Sequence, residues 1–210
     1  WENQSKNIKP FFTATYSESE IQDSAFSIQN KSFHEPFVFL FVGTLSKGKQ
    51  PLYALQLVEE LHKAGKKVNL NFYGDGILRD DLAQYIATHN LGNIVSLKGN
   101  QTKETVLKAY QDSHFLILPS KSEGWPKVVA EAMFWGCVPI VSKVSCVSYM
   151  LGNGSRGILL SEKQNEDINQ ILAVVNNEKL YEVMACDGQT WSRKYTTDNF
   201  EIEISKLLKT

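Results

Sequence analysis

The chain contains no run near the roughly 18 consecutive apolar residues that a membrane helix needs, so no spanning helix is expected. Cysteine is scarce: Cys137, Cys146 and Cys186 are an odd number at no metal-like spacing. That argues against a disulfide framework and a cysteine zinc site, and fits a reduced, cytosolic compartment. His34, His62, His89 and His114 are scattered, with no partner at ligand spacing, so no metal centre is expected. His114 lies in an apolar run and reads as a satisfied core residue. Neither sign of charge dominates: 22 basic and 23 acidic residues give a net charge of -1, and no basic face advertises nucleic acid. There is no internal repeat and no low-complexity tract. The first residue is Trp1 rather than Met and no signal-peptide pattern follows, so a fragment or a processed chain is expected.

What is present is ordinary globular composition, 42% hydrophobic and 21% charged, which sets disordered and fibrous classes aside. Residues 1–35 are polar and read as a linker, or the tail of a missing amino-terminal domain. Residues 36–210 read as one domain. FVFLFVG (37–43) is a continuous apolar run ending in glycine, as in a strand buried on both faces. Leu52, Leu55, Val58 and Leu61 then recur at helical spacing, and Gly65 stands where that helix should stop. Strands are expected at 68–74, 93–99, 113–120 and 137–142, with RGILL (156–160) as a sixth. Helices are expected at 78–90 and 103–112, within 122–133, and over the last fifty residues. The alternation implies an α/β fold, a doubly wound, Rossmann-like parallel sheet. Ligands of such sheets bind beyond the carboxyl ends of the strands, so the loops there hold the candidate site.

In GTLSKGKQP (43–51), Gly43 and Gly48 permit tight turns, and Lys47 and Lys49 place ammonium groups near a helix start. The bland alternative is two surface lysines on a solvated loop. The GxxxxGK(S/T) spacing of a P-loop is absent. Gly74-Asp75-Gly76 and Gly99-Asn100 offer small residues and exposed backbone, each weak evidence alone. In SEGWPKVVAEAM (122–133), Pro126 suits the first helical position, and Trp125 has no oxygen with which to cap. The N–H groups of Lys127, Val128 and Val129 are then expected to want an acceptor, which a phosphate would supply. Glu131 falls inside an apolar helix, where a carboxylate needs partners. Either Lys127, one turn earlier, pairs with it, or ligand hydroxyls do. Glu123 can face the same ligand, so all these groups are expected to form one pocket.

These residues resemble the carboxyl-terminal, donor-binding domain of a family-4 glycosyltransferase of the GT-B type, over roughly residues 36–200. The most specific element is the E-x7-E pattern of Glu123 and Glu131; GDGILRDDL and IVSLKGNQTKETVLKAYQDSHFLILPS are similar to the family's GxGxxxxxL turn and strand-helix-strand run. The resemblance implies a nucleotide-diphosphate-sugar donor in a cleft between this domain and a missing amino-terminal one. It implies Lys49 and Glu123 as catalytic groups, with Lys49 on the diphosphate and Glu123 on the transferred sugar. Glu131 would take the ribose, the backbone of Gly124, Trp125, Pro126, Lys127 and Val128 would reach phosphate and sugar, and Gly43, Gly74, Gly76 and Asn100 would border the donor. Thr44 occupies the position of a family arginine, with Lys47 as a replacement charge. The loop after the fifth strand, KVSCVSYMLGNG, lacks the Gly-Gly pair often found there. Further implications are retention of configuration, no metal and no cofactor beyond the donor, an inactive isolated fragment, and a cytoplasmic protein, with peripheral attachment to a membrane surface left open. The alternatives are a non-catalytic nucleotide-sugar-binding module and a GT-B epimerase; a receiver-like signalling module fits worst.

Overall fold

The computed structural model describes residues 15–22 and 31–208. Six strands, β1 (Phe37–Val42), β2 (Val68–Tyr73), β3 (Val95–Gly99), β4 (Phe115–Leu118), β5 (Val138–Ser142) and β6 (Ile158–Leu160), form one sheet in the order β3-β2-β1-β4-β5-β6. Every named pairing is parallel. The helices are α1 (Glu18–Gln22), α2 (Pro51–Lys63), α3 (Arg79–Thr88), α4 (Lys103–Asp112), α5 (Lys127–Phe134), α6 (Val147–Met150), α7 (Gln164–Val175), α8 (Glu178–Ser192) and α9 (Thr197–Leu208). The expected elements are all found. A short α1 lies inside the stretch expected to be linker, and α6 follows β5 where no helix was expected.

Central strands carry side chains on both faces into the core: Phe39, Leu40 and Phe41 of β1, and Phe115, Leu116 and Ile117 of β4, are wholly buried. Only helices on both faces can cover such strands. Right-handed crossovers put α2 and α3 on one face while the chain moves outward from β1 to β3. The chain then returns to β4 and moves the other way, which puts α4 and α5 on the opposite face. α2 ends as expected: Gly65 takes φ +85°, and its N–H donates to the His62 carbonyl at 2.9 Å. The direction of winding reverses between β1 and β4, so the loops leaving these two strands diverge around a crevice.

Two polar groups, buried His114 and half-buried Lys31, tie the start of the domain to the sheet and its helices. His114, 7% exposed, accepts from the Val38 N–H at Nδ1 (3.0 Å) and donates from Nε2 to the Ser32 carbonyl (2.9 Å). It is the satisfied core histidine that the sequence suggests. Burial is the main cause that pulls its pKa down to about 4, below the unfolded value of about 6.5. The unfolded chain therefore takes up a proton first as pH falls through 6.5, and the folded chain follows only near 4. His114 thus contributes stability above pH 6.5 that is lost between 6.5 and 4, on the order of 3 kcal/mol. Urea midpoints should drop across that window in the wild type, and less in His114→Gln. Lys31 donates to the carbonyls of Tyr110 (3.1 Å), Trp135 and Gly136 (both 3.2 Å), closing the carboxyl ends of α4 and α5. Burial brings its ammonium down to about 8.

Candidate active site

The crevice is built by the loops after β1 and β4, and side chains and backbone stitch them together. The Lys121 N–H donates to the Gly48 carbonyl (2.8 Å), and Gln50 Nε2 donates to the Pro119 carbonyl (2.7 Å). Gln50 is the left-handed residue here, φ +50°, a cost taken on by the side chain that anchors both loops; Gly48 needs no unusual φ. The stitching brings together residues 74 apart in sequence. Lys49 Nζ meets Glu123 Oε1 at 2.5 Å, with Lys49 30% and Glu123 9% exposed. Lys47 and Thr44 are exposed on the same loop, as are Lys121 and Gly124 on the other.

α5 begins one residue later than expected. Pro126 is its N-cap, φ -76° and ψ 90°, and supplies no side-chain bond. The Val129 N–H is already used, donating to the Pro126 carbonyl at 2.9 Å. The amides with no acceptor among the described residues are therefore those of Lys127 and Val128, two rather than three. They carry the positive end of the helix dipole. The loop after β5 holds this turn from the other side: Ser145 Oγ and Cys146 Sγ both donate to the Gly124 carbonyl, at 3.3 and 3.2 Å.

Glu131 is placed differently from Glu123. It is half-buried, and Lys127 is not its partner: Tyr110 donates to Oε2 at 3.0 Å and Thr15 to Oε1 at 2.9 Å. It lines a cavity of about 10 Å³ together with Thr15, Tyr16 and Trp125, room for about one water. Glu123 does not line that cavity. Trp125, half-buried, follows Glu123 by two residues and borders the Glu131 side. The structure thus unites Lys49 and Glu123, sets the α5 amides beside Glu123 in sequence, and gives Glu131 a separate niche closed by the chain's own Thr15.

The glycines after β2 have a reason the sequence did not reveal. A Cβ on Gly74 (φ +137°) would lie 2.0 Å from the Gly43 carbonyl oxygen, and one on Gly76 (φ +158°) 2.6 Å from that of Leu45. The Leu45 N–H donates to the Asp75 carbonyl and the Leu78 N–H to the Leu45 carbonyl, both at 3.0 Å. These glycines bring the β2 loop against the β1 loop, so the close approach is to backbone of the same chain. Asn100 is exposed just after β3, and among the described residues it hydrogen-bonds to neither crevice loop. Tyr110 and Thr15 were missed. A tyrosine five residues before β4 could have been noticed in the sequence; Thr15 sits in a polar stretch with no signal at all.

The family model for glycosyl transferases group 1 matches residues 23–191. An uncharacterized glycosyltransferase of Methanocaldococcus jannaschii is 28% identical over 153 residues, 71% of this chain and 43% of the relative. A UDP-Gal:alpha-D-GlcNAc-diphosphoundecaprenol alpha-1,3-galactosyltransferase of Escherichia coli is 26% identical over 178 residues, 83% of this chain and 44% of the relative. The fold is that of the pneumococcal O-GlcNAc transferase GtfA, solved in complex with UDP and GlcNAc: TM-score 0.73 at 19% identity, over 95% of this chain and 38% of that one. The chain thus spans less than half the length of these relatives. Among the described residues no helix is long and apolar enough to cross a membrane, and no group of three His, Cys, Asp or Glu is placed to hold an ion. With the parallel sheet, the crevice at its switch point and the family match over most of the chain, the protein belongs to the glycosyl transferases group 1, as a donor-binding domain of the GT-B type.

Proposed function

We propose that the crevice binds a nucleotide-diphosphate sugar, and that the longer protein transfers this sugar to an acceptor with retention of configuration and without a metal. The observation that carries the reading is the Lys49–Glu123 ion pair, next in the chain to the two α5 amides that lack acceptors. Without ligand, the ammonium and the carboxylate satisfy each other. With donor, the ammonium turns to the diphosphate, joined by the α5 amides and Lys47, while the Glu123 carboxylate accepts from sugar hydroxyls. Charge that develops on the departing diphosphate meets groups already in place, which is how such a site lowers a barrier. For Glu131 to take the ribose hydroxyls, Thr15 would first have to leave its carboxylate. Residues on the acceptor side belong to the part of the relatives that this chain does not span. The 210-residue chain by itself binds donor and transfers nothing, and the cytoplasm is where nucleotide-sugars would reach it.

A second reading, a binding module without catalysis, draws on Thr44. It is exposed on the β1 loop, where the family resemblance calls for an arginine, and it brings no charge. The two readings separate in an assay of the longer protein with a panel of UDP-sugars. A new glycoside supports transfer, an epimerised donor means epimerase chemistry, and saturable binding with neither product supports the module. Binding itself is checked by thermal shift of the chain described here: a UDP-sugar should raise its midpoint, and Lys49→Ala should abolish that rise.

A further inference from the structure

We propose that the acceptor of the longer protein carries phosphate near the hydroxyl that receives the sugar, and that Lys121 and Lys143 meet that phosphate. They act beside the acceptor contacts made by the part of the relatives that this chain does not span. The inference rests on the reading that a nucleotide-diphosphate sugar lies in the crevice with its sugar at Glu123. The loops after β1 (43–50), β4 (119–126) and β5 (143–146), with the first residue of α5, carry Lys47, Lys49, Lys121, Lys127 and Lys143. One acid, Glu123, stands against them, in a chain of net charge -1. Lys49 pairs with Glu123. The other four lysines are exposed, and none makes an ion pair among the described residues. Elsewhere the pattern is different: Lys63, Lys103, Lys108 and Lys163 each lie beside a carboxylate.

Hydrogen bonds gather the three loops. The Lys121 N–H donates to the Gly48 carbonyl, and Ser145 Oγ and Cys146 Sγ donate to the Gly124 carbonyl, so the β4 loop is fastened to both of the others. Lys121 precedes Glu123 by two residues, and Lys143 precedes Ser145 by two. One lysine thus enters from the start of the turn that holds Glu123, the other from the loop fastened to its end. Like charges gathered without counter-charges repel one another and raise the local concentration of anions. The donor diphosphate is met by Lys49, Lys47 and the amides of Lys127 and Val128. Lys121 and Lys143 remain, around the residue that takes the sugar, where an acceptor has to approach. A carboxylate on the transferred sugar would call for one enclosed cation; two exposed ones on separate loops suit an extended anion. A crevice admits a chain, not the flat face of a bilayer.

Calorimetry tests this on the 210-residue chain saturated with UDP, titrated with a glycerol phosphate hexamer and with neutral maltohexaose. The variants are Lys143→Gln, Lys121→Gln, which keeps the main-chain bond to Gly48, and the pair together. Wild type is expected to bind the phosphate hexamer and not maltohexaose. Each single change should weaken the hexamer roughly two- to fivefold, the range of an exposed charge pair, and both together roughly tenfold. UDP affinity should stay nearly unchanged. The proposal is overturned if UDP-saturated wild type fails to bind the hexamer, if the hexamer displaces UDP, or if the double variant holds it as well as wild type. A preference for UDP-glucuronate over UDP-glucose that vanishes in the double variant would assign the lysines to an acidic sugar instead. Lysine-dependent binding to phosphatidylglycerol vesicles without hexamer binding would assign them to a membrane. If UDP itself does not bind, the donor reading fails and this inference falls with it.

Discussion

Replacing Lys49 by alanine is expected to weaken UDP binding by roughly 30- to 100-fold, the effect of deleting one ammonium that meets a phosphate directly. The companion variant sets this account apart from a simple count of contacts. Glu123→Ala removes the carboxylate that holds Lys49 in the empty crevice. The freed ammonium then needs to break no ion pair before meeting a phosphate, so UDP affinity is expected to hold or rise. What Glu123→Ala should lose is the extra affinity of a UDP-sugar over UDP, because the hydroxyl acceptor is gone. Calorimetric titration of both variants with both ligands reads this directly. A tenfold loss of UDP affinity in Glu123→Ala would mean that the carboxylate maintains the loop and does not compete with the ligand for the ammonium.

Gly74→Ala is expected to be the most damaging single-methyl change in the crevice. Its Cβ would stand 2.0 Å from the Gly43 carbonyl oxygen and 2.8 Å from the Gly43 carbonyl carbon, and backbone cannot swing aside as a side-chain tip can. Separating the two loops would also break the Gly43 N–H bond to the Tyr73 carbonyl, 2.9 Å. Several kcal/mol of destabilisation is expected from overlap and left-handed backbone together. Gly65→Ala is the control. It too has positive φ, +85°, but nothing lies within 4 Å of its Cβ, so about 1 kcal/mol is expected. Urea denaturation of the two variants separates strain alone from strain with collision; equal losses would contradict the packing described for the β2 loop.

The fold was legible because its signals are local. The apolar run of β1, the stop at Gly65 and the boundaries of α4 depend on neighbours in sequence, and chain order then fixes a parallel, doubly wound sheet. Part of the crevice was legible for the same reason: Lys49 and Glu123 each follow a strand that reads clearly. Their contact was not, because nothing local shows that Gln50 and Lys121 stitch the two loops. The α5 start moved by one residue because Pro126 takes a ψ of 90°, outside the helical region, and the Val129 amide turns back onto its carbonyl. Glu131 is the larger lesson. Its burial promised partners, and Lys127 was the partner that spacing on the helix offered. The actual donors are a tyrosine on a neighbouring helix and a threonine 116 residues away. Tyr16 shows why that threonine is in place. Its buried ring lies 4.8 Å from that of Phe134, and its carbonyl accepts from the Thr197 N–H at 3.0 Å, which anchors a stretch whose polar composition suggested only a linker.

The most direct test of the central claim, that the loops of β1 and β4 and the start of α5 form one anion-binding crevice, is amide NMR of the isotope-labelled chain titrated with UDP. The account predicts the largest shifts at Lys127 and Val128, with smaller ones from Gly43 to Lys49 and at Lys121 to Gly124, and silence along α9. Saturable binding with the Lys127 and Val128 amides unmoved, or with shifts gathered on another face of the sheet, would contradict it.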